Sequence, residues 1–482
     1  MSTVGLRVGE NLWKSVTEHI HQPDRDEHGG ALLCGVATNH SGKRRLLART
    51  FVAAVDGIDY VPGTRGYRQL KATFIRKVIL QARQDGFVCL LVHGHGAGDQ
   101  VEFSETDYAS HERGYPSLLD IAGQSVGALV LASNAVAGDI WNINGTRDTL
   151  DVTVVVGRNI TRLTPAPTTR IAATRAEDDR QARLFGAAGQ EILRRTRVGV
   201  VGAGGAGMLA VEMLARLGAG ELIVIDPDKV ELTNLNRLPG ALRRDACALL
   251  THPDRPVWVR RIGTALSLRK VTLAKRLVRR AGQGTRITAF PTNVTDADAV
   301  TALKECDYIL LAADSPTARH LVNVIAHQYL IPVIQVGAKV AVDDTGKVGR
   351  VFSVVRSITP DSGCFRCAAL INYTKLALEA LNADQRQQAD YGTGEHAPSV
   401  IMLNGVAVSH ALTQMMLALT GLRTAERADF MLYDARSSAT KPTEPYRDAT
   451  CTVCGPGGLI AIGDLKPLPL PRDQHSRRAR QL

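Results

Sequence analysis

The stretch "RVGVVGAGGAGMLAVEMLARLGAGELIVIDPD", residues 197–228, leaves a chain few folds to choose from. An apolar, β-branched run is followed by a glycine-rich turn, a helix-period segment and a second apolar run that ends in an acid. That order is the βαβ start of a parallel sheet. Further alternation through "CDYILLAADS" and "IPVIQVGAKV" extends the sheet. The reading is α/β: a doubly wound, mostly parallel, Rossmann-like domain over 175–465. Residues 241–265 interrupt the alternation and read as a loop or insertion. No internal repeat is visible.

Upstream, residues 1–158 read as a separate α/β unit. "GALLCGVAT", "RRLLARTFVAAV", "GFVCLLVHGHG" and "VGALVLASNAVAGDIW" have strand character, and "YRQLKATFIRKVILQARQDG" has helical period and a terminal Gly. At 482 residues the chain is too long for one ordinary core. Residues 159–174, rich in Thr, Pro and Ala, read as a linker. Residues 466–482, Pro-rich then Arg-rich, read as a disordered basic tail.

The formal charge of +11 sits in local arginine clusters that no aromatic residues interleave, aromatics being only 5% of the chain. These read as solvated helix faces, so no nucleic-acid partner is expected. No apolar run reaches the roughly 20 residues that span a bilayer, and the N-terminus lacks an apolar signal core. A cytoplasmic protein without a membrane partner is expected.

The glycines Gly202, Gly204, Gly205 and Gly207 let backbone N–H groups approach a phosphate at a helix N-terminus. Asp226 closes the next strand, where a carboxylate accepts ribose hydroxyls. This pattern alone fits NAD as well as ATP. Asn234 and Arg237 in "DPDKVELTNLNRL", and Lys270 at the start of a later helix, suit a triphosphate, whose oxygens a guanidinium neutralises. Asp314, after another strand, is placed to hold Mg²⁺.

This set resembles the adenylation domain of the ubiquitin-activating superfamily, including the ThiF and MoeB proteins. The resemblance covers about 175–460 and begins at "DDRQARLFGAAGQEILRRTRVGVVGAGGAGM". It implies that Asp226 binds ribose, that Arg237 and Lys270 bind phosphates, and that Asp314 holds Mg²⁺. It also implies that Arg180 reaches into a partner subunit's site, and so a homodimer. The implied reaction is attack of the C-terminal carboxylate of a ubiquitin-like β-grasp protein on the α-phosphate of ATP.

Four of the eight cysteines form two Cys-x-x-Cys clips, Cys364/Cys367 and Cys451/Cys454. Four thiolates in two clips suit a closed, structural zinc site, which many ThiF and MoeB proteins carry here; redox dithiols are the alternative. Between the clips there is no cysteine to take the carrier as a thioester. Cys247, in the insertion, is the only loop-like spare. The default is adenylation without a thioester on this chain, or transfer to a separate conjugating enzyme.

In the first unit, His93-x-His95 followed by Ser104-x-x-Asp107 resembles the signature of the JAMM metalloproteases of the MPN family. Two imidazoles and a carboxylate are three zinc ligands, leaving a fourth position for water. The resemblance makes Glu27 the general base and Ser104 an oxyanion support. The chain then reads as a bacterial-type bifunctional enzyme: it adenylates the terminal glycine of a ubiquitin-like protein and processes or deconjugates that protein. Other readings are activation of a sulfur carrier for thiocarboxylate formation, a scaffold with a degenerate site, and an NAD-dependent oxidoreductase.

Overall fold

The computed structural model describes residues 2–24, 26–63, 68–167, 174–342, 347–379, 399–424 and 429–470. The first sheet contains β1 (Ser2–Gly9), β2 (Gly29–Thr38), β3 (Arg44–Ala53), β4 (Val88–Gly94), β5 (Val126–Leu131), β6 (Val136–Trp141), β7 (Arg147–Val156) and β8 (Ile160–Leu163). Its order is β1-β3-β2-β4-β5-β6-β7-β8, and an added parallel pairing of β1 with β7 closes it on itself. Three helices accompany it: α1 (Glu10–Ile20), α2 (Ala72–Asp85) and α3 (Glu105–Ala122). The helix α2 ends at Gly86 in the left-handed region (φ 74°), the stop expected of a terminal Gly. The stretch "VGALVLASNAVAGDIW" is two strands, because Ala132 N–H turns back to the Ala135 carbonyl.

The second sheet holds β9 (Arg197–Val201), β10 (Glu221–Ile225), β11 (Arg286–Phe290), β12 (Tyr308–Leu311), β13 (Val333–Val342), β14 (Val348–Ile358), β15 (Phe430–Asp434) and β16 (Ala439–Thr443). The order is β11-β10-β9-β12-β13-β14-β15-β16. The first five strands in that order are parallel, and the last three join antiparallel. The helices α4 (Asp179–Arg195), α5 (Gly205–Leu217), α6 (Ala248–Thr251), α7 (Val257–Leu266), α8 (Lys270–Ala281), α9 (Ala297–Lys304) and α10 (Pro316–Gln328) follow in chain order. The helix Ile401–Leu419 is long and apolar enough to cross a membrane by length and composition. It packs on α5, β13 and β14, burying Ala407, Val408, Ala411 and Met415 in the core.

Three expectations change. The expected linker begins with β8, which pairs with β7 and buries Ile160 among side chains of the second unit's core. Its middle positions are polar, Thr161 and Arg162, which hid a strand in a segment read for its Pro and Thr content. The expected insertion holds two helices, α6 and most of α7, with Leu249 and Trp258 exposed. Of the expected tail, residues 466–470 run along the second core, where Leu468 and Leu470 pack. Residues 471–482 lie outside the described residues.

The two units are bound by a polar and apolar seam. The buried Arg7 guanidinium donates to the Cys306 carbonyl at 2.9 Å and lies 3.6 Å from Asp307, which Arg162 also meets at 3.0 Å. Residues 456–465 return from the second cysteine clip to the first unit. Arg49 donates to the carbonyls of Pro456, Gly458 and Ile460. Asp464 accepts from Thr38 N at 2.7 Å, Tyr329 Oη at 2.8 Å and Lys304 Nζ at 2.6 Å. Two glycines allow the approach: a Cβ on Gly35 would meet the Ala461 carbonyl at 2.2 Å, and one on Gly463 (φ +59°) the Val36 carbonyl at 2.2 Å.

Asp464→Ala removes three partners of one carboxylate, one of them, Thr38, across the seam. The expected loss is about 2 kcal/mol of unfolding free energy, the range for hydrogen bonds to a charged group. Equilibrium urea unfolding of the whole chain checks it, and an unchanged midpoint would show that the seam does not depend on this contact.

Candidate active sites

The first site lies where β4 leaves the closed sheet and α3 begins. Strand alternation with a tight Gly94 carries His93 and His95 to the same edge. Their Nε2 atoms lie 3.2 Å apart. Asp107 Oδ1 is 3.3 Å from His93 Nε2, and Asp107 Oδ2 is 3.2 Å from His95 Nε2. One ligand atom from each of the three falls within 4.8 Å of the others, the clustering a metal ion needs. His95 Nδ1 is 3.0 Å from the Glu102 carbonyl, so that nitrogen donates there and Nε2 is the one turned to Asp107 and His93.

Ser104 and Asp107 also form a capping box at the N-terminus of α3. Ser104 Oγ donates to Asp107 Oδ2 at 2.7 Å, and Asp107 N–H donates back at 3.2 Å. The hydroxyl proton expected to support an oxyanion is committed to the carboxylate, so in this geometry Ser104 orients Asp107. Burial works to raise the Asp107 carboxyl. The hydrogen bonds from His93, His95 and Ser104 outweigh it and hold the group well below the usual carboxylate range. The same bond to Asp107 raises the His95 imidazole.

Glu27 faces this triangle. It lines a cavity of about 130 Å³ with His93, Asp107, Arg68, His111 and Tyr115. Burial raises its carboxyl, against the pull of the two histidines. The segment carrying Glu27 is tied down by Tyr60, whose hydroxyl accepts from Gly29 N–H at 2.8 Å, while Arg68 stacks on the Tyr60 ring at 3.8 Å. Tyr60, Arg68, His28 and His111 were not legible in the sequence. They come from loop or helix positions with no chemical spacing, and only the fold brings them to the cavity.

The second site is the glycine turn. Gly202 adopts φ 92°, and a Cβ there would meet the Ala313 nitrogen at 2.8 Å. The turn therefore touches the β12 end that precedes Asp314, which is exposed. A Cβ on Gly207 would sit 1.8 Å from the Gly202 carbonyl, so the helix α5 presses directly on the turn. Arg237 lies over Gly205, its Cδ 3.3 Å from the place of a Cβ. Buried Asp226 accepts from Ala203 N–H at 2.7 Å and Asp228 N–H at 2.8 Å. Lys270 Nζ is 2.7 Å from Asp228 and 3.8 Å from Asp226. Burial raises the Asp226 carboxyl, partly offset by Lys270.

One expected ligand is engaged elsewhere, and Arg180, expected to reach a partner subunit's site, lies away from this turn. Asn234 is buried and its amide oxygen accepts from Glu231 N–H at 3.2 Å, capping the short 3₁₀ turn at Leu232–Asn234. A side chain engaged in that cap shapes the loop that presents Arg237. Arg180 is exposed on α4 and makes no contact with the turn among the described residues. Its neighbour Gln181 instead donates to Asp178, Gln190 and the Leu217 carbonyl, latching α4 to the end of α5. Those polar latches lie in the quoted motif but give no signal by residue type. Cys247 heads α6 with φ 46°, half-buried and away from both clusters.

The two cysteine clips converge. Sulfur separations are 3.7 Å for Cys364–Cys367, 3.7 Å for Cys364–Cys451 and 3.4 Å for Cys367–Cys454. Thiolates at the corners of a zinc tetrahedron, about 2.3 Å from the metal, stand about 3.8 Å apart. Three of the four are buried, and all four ligand atoms lie within 4.8 Å of one another. The Cys364 thiol is held down to about 4 by its bond from Cys454, and the same bond pushes Cys454 up.

A doubly wound sheet with a tight glycine turn, a buried acid at the end of the next strand and flanking Arg and Lys defines a nucleotide-binding α/β domain. The chain belongs to the ThiF family, whose model matches residues 178–453. It is 28% identical over 284 residues to the SAMP-activating enzyme E1 of Haloferax volcanii, across 58% of this chain and 88% of that protein. It is 26% identical over 287 residues to the sulfur carrier protein adenylyltransferase of Thermus thermophilus, across 58% of this chain and 92% of that protein. The molybdopterin-synthase adenylyltransferase of Escherichia coli is 25% identical over 267 residues, 55% of this chain and 90% of its own length.

The turn predicts a sharp contrast between two glycines. Gly207→Ala drives a methyl into the Gly202 carbonyl and is expected to cost about 3 kcal/mol, the upper range of overpacking. Gly204→Ala points into open space and is expected to cost under about 1 kcal/mol as an N-cap change. Thermal unfolding of both variants checks this, and equal losses would contradict the packing.

Proposed function

We propose that this chain adenylates the C-terminal glycine of a ubiquitin-like β-grasp protein and, at its first site, hydrolyses the peptide or isopeptide bond beyond that glycine. The observation that carries the reading is the His93, His95 and Asp107 triangle, facing Glu27, in the same chain as a ThiF nucleotide cradle. Three relatives whose names specify activation or adenylation support the adenylation half.

In the second site the work is positioning and charge neutralisation. Backbone N–H groups at the start of α5 receive the phosphates. Asp226 takes the ribose. Arg237, presented by the Asn234-capped loop, and Lys270, held by Asp226 and Asp228, neutralise phosphoryl oxygens. Asp314 holds Mg²⁺ beside the turn. The carrier's carboxylate oxygen bonds to the α-phosphorus, the bond to the β-phosphate bridging oxygen breaks, and pyrophosphate leaves. Arg180, exposed on α4, serves a partner copy in a homodimer.

In the first site His93, His95 and Asp107 fit a zinc ion by donor type and clustering. When bound, zinc supplies Lewis acidity and lowers the pKa of a coordinated water. Glu27, raised by burial, takes a proton from the attacking water and returns it to the leaving amine. Ser104 keeps Asp107 oriented. The tetrathiolate cluster would hold a second, structural zinc, and four cysteines kept for a metal suit a reducing cytoplasm. The Thermus relative's name favours a second reading, in which the adenylated carrier becomes a thiocarboxylate.

ATP–pyrophosphate exchange in the presence of a β-grasp protein ending in Gly is expected from the wild-type chain. Arg237→Ala or Lys270→Ala is expected to lower it about 100-fold, as for loss of one transition-state donor. Exchange that is absent, or unmoved by either change, contradicts the adenylation reading.

Metal analysis separates the two clusters. The whole chain is expected to hold one zinc per cluster. His93→Ala is expected to remove one equivalent and abolish trimming of a carrier extended past its glycine, while exchange continues. Trimming that survives in both His93→Ala and Glu27→Gln contradicts the peptidase reading.

A further inference from the structure

We infer that the seam between the two units contains a second binding site, for a small phosphate-type anion, separate from the nucleotide cradle. A cavity of about 160 Å³ lies there, walled by β1, the β2–β3 turn, β7 and β8 on one side and by the start of β9, the end of α9 and the approach to β12 on the other. The glycine turn follows the C-terminal end of β9; Arg197 and Asp307, which line this cavity, stand at the opposite end of the same strands. The two sites therefore occupy opposite edges of one sheet.

The wall carries seven cations, Arg7, Lys43, Arg44, Arg45, Arg162, Arg197 and Lys304, and three acids. Local pairing accounts for part of this charge. Arg44 meets Asp148 at 2.9 Å, Lys304 meets Asp464 at 2.6 Å, and Arg197 pairs with Glu221 and Glu305. Arg7 and Arg162 share the single carboxylate of Asp307. Arg45 donates to the Lys304 carbonyl at 3.3 Å and Lys43 to Thr3 Oγ1 at 3.2 Å, and neither has a carboxylate within ion-pair distance among the described residues. The Lys304 and Cys306 carbonyl oxygens orient the Arg45 and Arg7 guanidinium groups but carry no full charge to neutralise them.

A partly buried arginine without an anion is costly, and each neighbour of like charge adds to the cost. Burial, then repulsion from Arg45 and Arg162, works against the charge on Arg7, while Asp307 favours it. An oxyanion between these side chains removes the imbalance, and forked guanidinium groups match its geometry. The space is below the roughly 300 Å³ of sites that enclose a whole small molecule, so it suits one or two phosphate groups. Inorganic phosphate, pyrophosphate and the terminal phosphate of a nucleotide share that chemistry. Because both units supply the wall, occupancy tightens the seam.

The test uses the full chain and isothermal titration with phosphate, pyrophosphate and AMP at constant ionic strength. An Arg237→Ala/Lys270→Ala chain removes the nucleotide cradle as a competing site. Pyrophosphate or phosphate is expected to bind this chain with unchanged affinity at the seam and to raise its melting temperature. Adding Lys43→Gln and Arg45→Gln is expected to weaken binding about tenfold or more. Should that chain fail to fold, Lys43→Gln alone, at the exposed mouth, is expected to weaken it about threefold. Preference among the three anions identifies the source. Binding that vanishes with the cradle, survives the seam changes, or is matched by added chloride overturns the proposal.

Discussion

The close approach of α5 to the turn before it governs the second unit. With 1.8 Å between the position of a Gly207 Cβ and the Gly202 carbonyl, no other residue fits without moving the helix. That contact aims the first N–H groups of α5 out over the sheet and brings the turn against Ala312 and Ala313. Asp226, its carboxylate already bound to two backbone donors, is held at the rim by the same turn. Arg237 and Lys270 then need only short loops to reach the space above it. The nucleotide chemistry follows from backbone packing before any side chain is chosen.

The seam gives the chain a property that neither unit has alone. The strand β8 and the returning segment after the second cysteine clip join the cores, so the two candidate sites are carried on a shared frame. The clip and the returning segment are consecutive in sequence, and Asp464 reaches both units within ten residues of Cys454. A structural metal in the clip would therefore stabilise the base of the contact as well as the domain that supplies its ligands.

Much of this was legible in the sequence. The βαβ start, the two cysteine clips and the His-x-His spacing each place chemistry by short-range periodicity, and the structure brings those residues together. Longer-range features were not legible. The strand β8 was hidden because only Ile160 and Leu163 face inward in a Thr- and Pro-rich stretch. Asn234 carries a donor and an acceptor that suit a ligand equally well as a cap, and only the fold shows the cap. Ser104-x-x-Asp107 has the spacing of a metal site and of a helix start at once; here the pair caps α3, and Asp107 also clusters with His93 and His95. The arginines of the seam come from both units, and no local pattern connects them.

The central claim is that one chain both exposes and activates the same carrier terminus. Intact mass spectrometry of a β-grasp protein extended beyond its glycine, incubated with this chain, zinc and Mg-ATP, tests it most directly. The account predicts loss of the extension followed by gain of one AMP, with Glu27→Gln stopping the sequence at the unprocessed mass. A carrier supplied already trimmed gains AMP with either chain. AMP gained by the extended carrier, or no change in mass from any β-grasp protein ending in glycine, would contradict it.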